Sequence, residues 1–182
     1  MNMDRSSGIL LHISSLPSPY GIGTLGKEAY AFADFLKAAG QTYWQLLPLG
    51  PTSYGDSPYQ SFSTFAGNPY FIDLDLLIAD GLLEGAELEG IDWGGYPRHV
   101  DFGRIYEYRF AVLRRAFRRG WDRDRAAVEA FARENPWLPN YALYMAVKSH
   151  FGMKSWLEWP DADIRVRTPE ACLLYTSPSP RD

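Results

Sequence analysis

The feature that most constrains the fold is a strand, a helix and a second strand near the start of the chain. The apolar run 8–12 predicts a short buried strand, and residues 27–39 predict a helix with one apolar stripe. Gly40 stands where a left-handed helix cap belongs, and residues 43–47 form a second apolar run that Pro48 closes. Because the helix returns the chain to the starting edge, the two strands are most simply parallel. The pattern therefore predicts an α/β fold that opens with a βαβ unit.

A long loop follows the second strand. Residues 50–69 show no helical period and are rich in Gly, Pro and Ser; together with Tyr70 they form the segment called here the aromatic loop (residues 50–70). Loops of about 15 or more residues in compact folds are usually functional, and in a β/α barrel the loops after the strands build the active site. The loop mixes rings with short polar side chains: Tyr54, Tyr59, Phe62, Phe65 and Tyr70 beside Ser57, Gln60, Ser61, Ser63 and Asn68.

Rings beside hydrogen-bonding groups on a proline-stiffened loop suit a polyhydroxylated ligand, whose C–H faces stack while its hydroxyls need partners. An aromatic content of 15% agrees with such a ligand. Chemistry alone leaves a second interpretation open, in which the loop is an ordinary ordered segment whose rings plug the domain.

Composition excludes several classes of protein. The net charge of −4 at pH 7 argues against nucleic acid or an anionic membrane as a partner. No apolar run approaches the roughly 20 residues of a membrane span, and the run 8–11 is too short for a signal-peptide core. The single cysteine, Cys172, excludes an internal disulfide framework. We therefore expect a cytoplasmic protein.

Two motifs look like cofactor sites but are explained more simply. Residues 21–26 match G-x-G-x-x-G, yet a loop with Pro17 and Pro19 separates the glycines from the strand, and no carboxylate ends the second strand to hold a ribose. Asp73 and Asp75 have no third metal ligand nearby, and a strand end that runs into a turn explains them. We expect no metal and no cofactor. His12 lies at the end of the first strand, where a barrel places site residues.

The rest of the chain is predicted to be mainly helical. Residues 105–119 predict a helix whose terminal arginines complement its dipole, Asp122 caps a further helix to about residue 135, and residues 140–149 form another. The first helix carries Tyr106, Phe110, Leu113 and Phe117 on one side. Residues 172–182 have no amphipathic period, and we interpret them as a non-native tail read through from a truncated gene fragment.

Three segments carry a family resemblance: GILLHISSLPSPYGIGTLG at 8–26, YWQLLPLGPT at 43–52 and DSPYQSFSTFAGNPY at 56–70. Together they closely resemble the amylomaltases, the bacterial disproportionating enzymes of glycoside hydrolase family 77, and the likeness runs more loosely to about Arg167. The resemblance implies the N-terminal part of a (β/α)8 TIM-type barrel with an inserted helical subdomain. Residues 1–80 would then be the first part of the barrel, and residues 81–171 the helical insert.

The resemblance also implies a reaction. Such enzymes cleave an α-1,4-glucan and pass the released segment to the 4-hydroxyl of another glucan, a maltooligosaccharide or glucose. They use a retaining double displacement, in which one carboxylate is the nucleophile and a second carboxyl group is the acid and base. The family carries its catalytic carboxylates on later strands, beyond Ala171, so we expect no catalytic residue in this chain and no activity from it alone. The alternative is a non-catalytic glucan-binding module.

Four residues match binding positions of the family. Tyr59 matches a tyrosine whose ring lies against the donor sugar, and Ser57 matches a neighbouring hydrogen-bonding position. Tyr54 matches one half of a second glucan-binding groove, and Tyr106, in the motif VDFGRIY at 100–106, aligns with the other half. For Tyr106 a structural interpretation remains open, in which its ring simply belongs to the apolar stripe of its helix.

Overall fold

The computed structural model describes residues 5–53, 55–94 and 98–176. The chain divides into two compact units, Met1–Arg125 and Ala126–Asp182. Each unit has an apolar core of its own. The predicted boundary after residue 80 stays a prediction, as does the non-native origin of residues 172–182.

The first unit opens with the βαβ arrangement that the sequence predicts. Strands β1 (Gly8–Leu10) and β2 (Tyr43–Gln45) pair in parallel, with Ile9 opposite Trp44. Helix α1 (Lys27–Ala38) connects them. It ends before Gly40, whose φ of 66° is the left-handed conformation that a glycine cap adopts easily.

Close packing explains two glycines between β1 and α1. A 3-10 turn at Ile13–Ser15 follows β1, and a Cβ on Gly23 would collide with the carbonyl oxygen of Ile13 in that turn. A Cβ on Gly26 would likewise collide with the carboxylate of Asp73. The G-x-G-x-x-G pattern therefore lets this segment approach its neighbours closely.

Asp73 begins a helix, which corrects the prediction of a strand end. It caps α2 (Leu74–Ala79), because its Oδ1 accepts a hydrogen bond from the backbone N of Leu76 at 2.9 Å. Its Oδ2 accepts a hydrogen bond from the hydroxyl of Thr24 at 2.5 Å. The sequence contains a signal for this cap, because Asp is a common N-cap residue and Asp73 comes directly before the mainly apolar residues 74–79.

Helix α3 (Phe102–Glu134) is one continuous helix, so the predicted break before Asp122 is wrong. Gly120 lies within it, and a Cβ at this position would stand 2.8 Å from Cδ2 of Leu82. The arginines expected at a helix end lie mid-helix instead. Arg119 pairs with Glu87 at 2.9 Å rather than with a helix dipole.

The buried face of α3 is also one residue away from the predicted one. Its buried residues are Ile105, Arg109, Val112, Ala116 and Gly120. Tyr106 and Phe117, both assigned to the apolar side from the sequence, are more than half exposed. The face of α3 that packs into the core is therefore the one that carries Arg109.

The second unit starts within the last part of α3 and continues with shorter helices. These are α4 (Leu138–His150), α5 (Ala162–Arg165) and α6 (Pro169–Thr176), with a 3-10 turn at Trp156–Glu158. Its buried residues are Val147, Trp159, Ile164 and Ala171. Cys172 and Tyr175 pack against this cluster, so residues 172–176 are helical here although the sequence pattern showed no period. Within the described ranges, no helix is both long and apolar enough to cross a bilayer.

Candidate functional site

The aromatic loop is closed at its base by a backbone hydrogen bond. The N–H of Asn68 donates to the carbonyl of Leu49 at 2.8 Å, so the loop leaves and returns at the same point. Asn68 is buried, and its Oδ1 accepts a hydrogen bond from the backbone N of Tyr70 at 3.0 Å. That bond caps a 3-10 turn at Pro69–Phe71, which carries the chain into the core.

Serines within the loop bond to the loop's own backbone. The hydroxyl of Ser61 donates to the carbonyl of Ser63 at 2.8 Å, and Ser63 Oγ accepts from the N–H of Ala66 at 3.0 Å. Asp56 adopts a φ of 55°, a left-handed conformation that Asp tolerates better than most residues. These local bonds hold the loop's shape.

Tyr59 is the most exposed of the predicted site residues that the structure describes. Its side chain is 72% exposed, whereas that of Tyr70 at the end of the same loop is 8% exposed. Ser57 is half-buried beside it, and Ser57 Oγ accepts a hydrogen bond from the backbone N of Tyr59 at 3.3 Å. Tyr54 lies outside the described residues. The loop thus brings Ser57 and Tyr59 together and presents the Tyr59 ring to solvent.

Tyr106 lies on α3 and belongs to a row of rings that reaches the loop. Its side chain is 53% exposed, and its ring stands edge-on to Phe110 with centroids 6.3 Å apart. The ring of Phe110 in turn contacts that of Tyr70, at 5.6 Å. Burial, with the charges of Asp56 and Tyr106, raises the pKa of Tyr70 to about 12. The row Tyr106–Phe110–Tyr70 therefore joins the helix to the end of the aromatic loop.

His12 lies under the same end of the loop. Its ring stands edge-on to Phe71, with centroids 5.3 Å apart, and its Nδ1 is buried without a hydrogen-bond partner in the described structure. Burial lowers the pKa of His12 because the charged form loses hydration. The ring of His12 therefore packs against Phe71, and its pKa lies below the ordinary value.

Arg109 is the residue that the sequence interpretation missed. Its side chain is fully buried, and its Nη2 donates to the carbonyls of Tyr70, at 3.1 Å, and Ile72. Burial lowers its pKa to about 10, an effect that the charges of Asp73 and Tyr20 oppose. The signal was present in the sequence: a charged residue occupies the stripe that Ile105, Val112 and Ala116 define.

A cleft of about 650 Å³ lies elsewhere in the first unit. Residues 14–19 line it together with Gly21, Gly94 and residues 98–100. Ser57, Tyr59 and Tyr106 are not among its lining residues, so the cleft gives no support to the predicted site. Across the described part of the chain, no group of three His, Cys, Asp or Glu side chains is placed to hold a metal ion.

Comparison with known proteins gives a consistent answer. The model of a family described as 4-alpha-glucanotransferase, glycoside hydrolase family 77, matches residues 11–179. A 4-alpha-glucanotransferase of Streptococcus pneumoniae serotype 4 is 53% identical over 173 residues, covering 94% of this chain and 34% of its own length. The Thermus thermophilus 4-alpha-glucanotransferase is 49% identical over 166 residues, covering 88% of this chain and 32% of its own length.

A solved structure agrees with these relatives. The amylomaltase from Streptococcus agalactiae in complex with acarbose superposes with a TM-score of 0.91 at 45% identity. The match covers 94% of this chain and 35% of that one. The chain therefore spans about a third of the length of the relatives that it matches.

Proposed function

We propose a function from the premise that this chain belongs to the 4-alpha-glucanotransferases of glycoside hydrolase family 77. The chain is the N-terminal segment of an enzyme that transfers parts of α-1,4-glucans to the 4-hydroxyl of a new acceptor. The acceptors are maltooligosaccharides or glucose. The structural observation that carries the proposal is the Tyr59 ring, 72% exposed on a loop whose serines bond to the loop's own backbone. A ring so exposed gains little from packing, and stacking on a sugar gives it a role.

A (β/α)8 barrel is the architecture that we propose for the longer protein. Two parallel strands joined by a helix are the repeating unit of that barrel, and β1, α1 and β2 supply one such unit. Leu10 and Tyr43, at opposite ends of the two strands, are 54% and 61% exposed. Further strands and helices would cover these apolar side chains, which supports a barrel completed by the other two thirds of a relative's length.

The predicted binding residues divide into two groups. Tyr59 and Ser57 form a wall for the donor glucan, and Tyr54 and Tyr106 form a second groove. The exposure of Tyr106 and its absence from the buried face of α3 support a binding role over membership of the apolar stripe. Because the matched streptococcal amylomaltase was solved with acarbose, we expect the full-length protein to bind acarbose as well.

This segment supplies binding surface and not the chemistry. In the proposed mechanism a carboxylate forms a covalent glycosyl-enzyme and a second carboxyl serves as acid and base, and both belong to the part of the enzyme beyond Ala171. The segment alone is therefore expected to be inactive. The boundaries at residues 80 and 171 belong to this proposal, and so does a location in the cytoplasm, in keeping with a single cysteine.

The test uses the full-length protein from the source locus. Incubated with maltotriose, it should produce glucose together with glucans longer than maltotriose, because transfer lengthens one product for each donor that it shortens. Glucose and maltose without longer products would identify a hydrolase and refute the transferase. The 182-residue chain in the same assay is the control, and it should form neither set of products.

A second candidate, a glucan-binding module without catalysis, draws support from one fact: the chain covers only 34% of the length of an active relative. The exposed apolar residues of the first unit, such as Leu10, Phe35 and Tyr43, argue against a free-standing module. Sedimentation, urea unfolding and glucan binding of the isolated chain separate the two. A monomer that unfolds cooperatively and binds glucan supports the module; an aggregated or partly unfolded chain supports the enzyme segment.

A further inference from the structure

We propose that Arg109 is a positioning residue that fixes helix α3 against the end of the aromatic loop and thereby sets the geometry of the glucan groove to which Tyr106 contributes. This inference rests on the proposed function and adds to it a residue that does not itself touch the glucan.

The segment after the loop is held from two sides. The carbonyls of Tyr70 and Ile72 both accept from Nη2 of Arg109, while the carbonyl of Phe71 between them accepts from the N–H of Leu25 at 2.9 Å. Alternate carbonyls therefore bond to different elements, to α3 on one side and to the start of α1 on the other. Arg109 is the half of this clamp that belongs to the helix.

The cost of burying Arg109 indicates that stability alone does not explain it. Its Nε and Nη1 are buried without hydrogen-bond partners among the described residues. The face of Trp93, with its centroid 6.0 Å from the guanidinium carbon, and the charge of Asp73 compensate it only partly. A well-packed apolar side chain often serves stability as well as a buried charge does. What the apolar side chain lacks is a directed donor that can hold two carbonyls two residues apart.

The clamp is coupled to the groove through neighbouring rings. Phe110 follows Arg109 on α3 and contacts Tyr70 at 5.6 Å, and Tyr106, one helical turn earlier, contacts Phe110 at 6.3 Å. The same helical segment thus bonds to the backbone of Tyr70, packs on its ring and carries Tyr106. A shift of α3 against the loop would therefore move Tyr106 relative to the loop side of the groove.

The test measures kcat and KM of the full-length transferase with two substrates, maltotriose and amylose. Arg109→Met removes the donors at similar volume, and we expect KM for amylose to rise about tenfold while kcat with maltotriose changes less than about twofold. Arg109→Lys keeps a cation but loses the planar fork of donors, so it should raise KM for amylose by a smaller factor than Arg109→Met does, at unchanged kcat. Arg123→Met is the matched control, because Arg123 donates to the carbonyl of Asp80 at 3.0 Å from the same helix but away from the loop. Its KM should equal that of the parent.

A double-mutant cycle distinguishes positioning from general destabilisation. On a Tyr106→Ala background, Arg109→Met should raise KM for amylose by less than about twofold, because the side chain that it positions is gone. On a Tyr59→Ala background it should keep its full effect. A full effect on both backgrounds overturns the positioning role, and so does a parent-like KM in Arg109→Met.

Other outcomes separate this inference from the proposed function. If Tyr106→Ala itself leaves KM for amylose unchanged, both the groove and the role of Arg109 fail, although transfer activity on maltotriose would still support the enzyme. If transfer is absent in the parent, the proposed function fails first. Should Arg109→Met not fold, Arg109→Lys decides: a raised KM for amylose at unchanged kcat supports the role, and parent values overturn it.

Discussion

The two ends of the aromatic loop are built from similar residues and behave in opposite ways. In the first part, residues 51–65, Tyr59 and Phe65 are 72% and 70% exposed. In the last part, Asn68 and Tyr70 are buried, and Phe71 follows them into the core. Both parts use the same turn, in which a side-chain oxygen accepts the N–H two residues on: Ser57 to Tyr59, and Asn68 to Tyr70.

The difference shows which residues the fold explains by itself. The buried part gains stability from packing and from satisfied backbone groups. The exposed part carries the same kinds of side chain, but the rings of Tyr59 and Phe65 lie largely outside the core and so gain less from burial. A glucan is the partner that we propose for them. This division can be tested with pairs of matched substitutions, one in each part.

The largest expected difference is between Phe71→Ala and Phe65→Ala. Phe71 is 4% exposed, so its truncation should lower the free energy of unfolding by about 3–5 kcal/mol. Phe65 is 70% exposed, so Phe65→Ala should cost much less. Urea unfolding of the full-length protein measures both. Because the Phe71 ring covers His12, the pKa of His12 should also rise toward its ordinary value in Phe71→Ala, which NMR titration detects. Equal destabilisation by the two variants would contradict the division of the loop.

A smaller difference is expected between the two caps. Asn68→Ala leaves the N–H of Tyr70 without its partner in a buried turn, and we expect a loss of about 1–2 kcal/mol in the free energy of unfolding. Ser57→Ala removes the same kind of bond where water can replace it, so the loss should be below about 0.5 kcal/mol. Asn68→Ser, which keeps a capping oxygen, is the control and should recover part of the stability. If Ser57→Ala proves the more costly change, the exposed part has a structural role that this comparison misses.

The sequence was sufficient for the start of the fold and insufficient for its long helix. Strands β1 and β2 and helix α1 follow from periodicity and from Gly40, which are local signals. The break predicted in α3 also used a local signal, Asp122 as a helix cap, and it was wrong because the helix runs on through this residue, with Leu82, distant in the chain, close to Gly120. Long-range packing of this kind leaves no periodic trace in the helix's own sequence.

The candidate site was also predictable from the sequence only in part, because its geometry depends on contacts between residues distant in the chain. The family resemblance picks out Ser57, Tyr59 and Tyr106, but nothing local separates the exposed rings of the loop from the buried ones. The loop is closed by the hydrogen bond between Asn68 and Leu49, which are 19 positions apart and joined by an irregular path without a period. Arg109 was missed because large aromatic residues drew the predicted face of α3 one position away from the true one.

The smallest expected effect is on donor binding and rests on two equally exposed tyrosines. Tyr59 and Tyr30 are 72% and 71% exposed, so their truncation to alanine should leave the free energy of unfolding within about 0.5 kcal/mol of the parent. Tyr59→Ala should nevertheless weaken donor use by about 0.5–1.5 kcal/mol, the range of a stacking contact, measured as kcat/KM for maltotriose in the full-length enzyme. Tyr30→Ala, on α1, should leave kcat/KM unchanged. A Tyr59→Phe variant should recover most of the loss, since the ring supplies the stacking face. If Tyr59→Ala and Tyr30→Ala have the same kinetics, exposure of the Tyr59 ring has no bearing on the donor, and the exposed part of the loop needs another explanation.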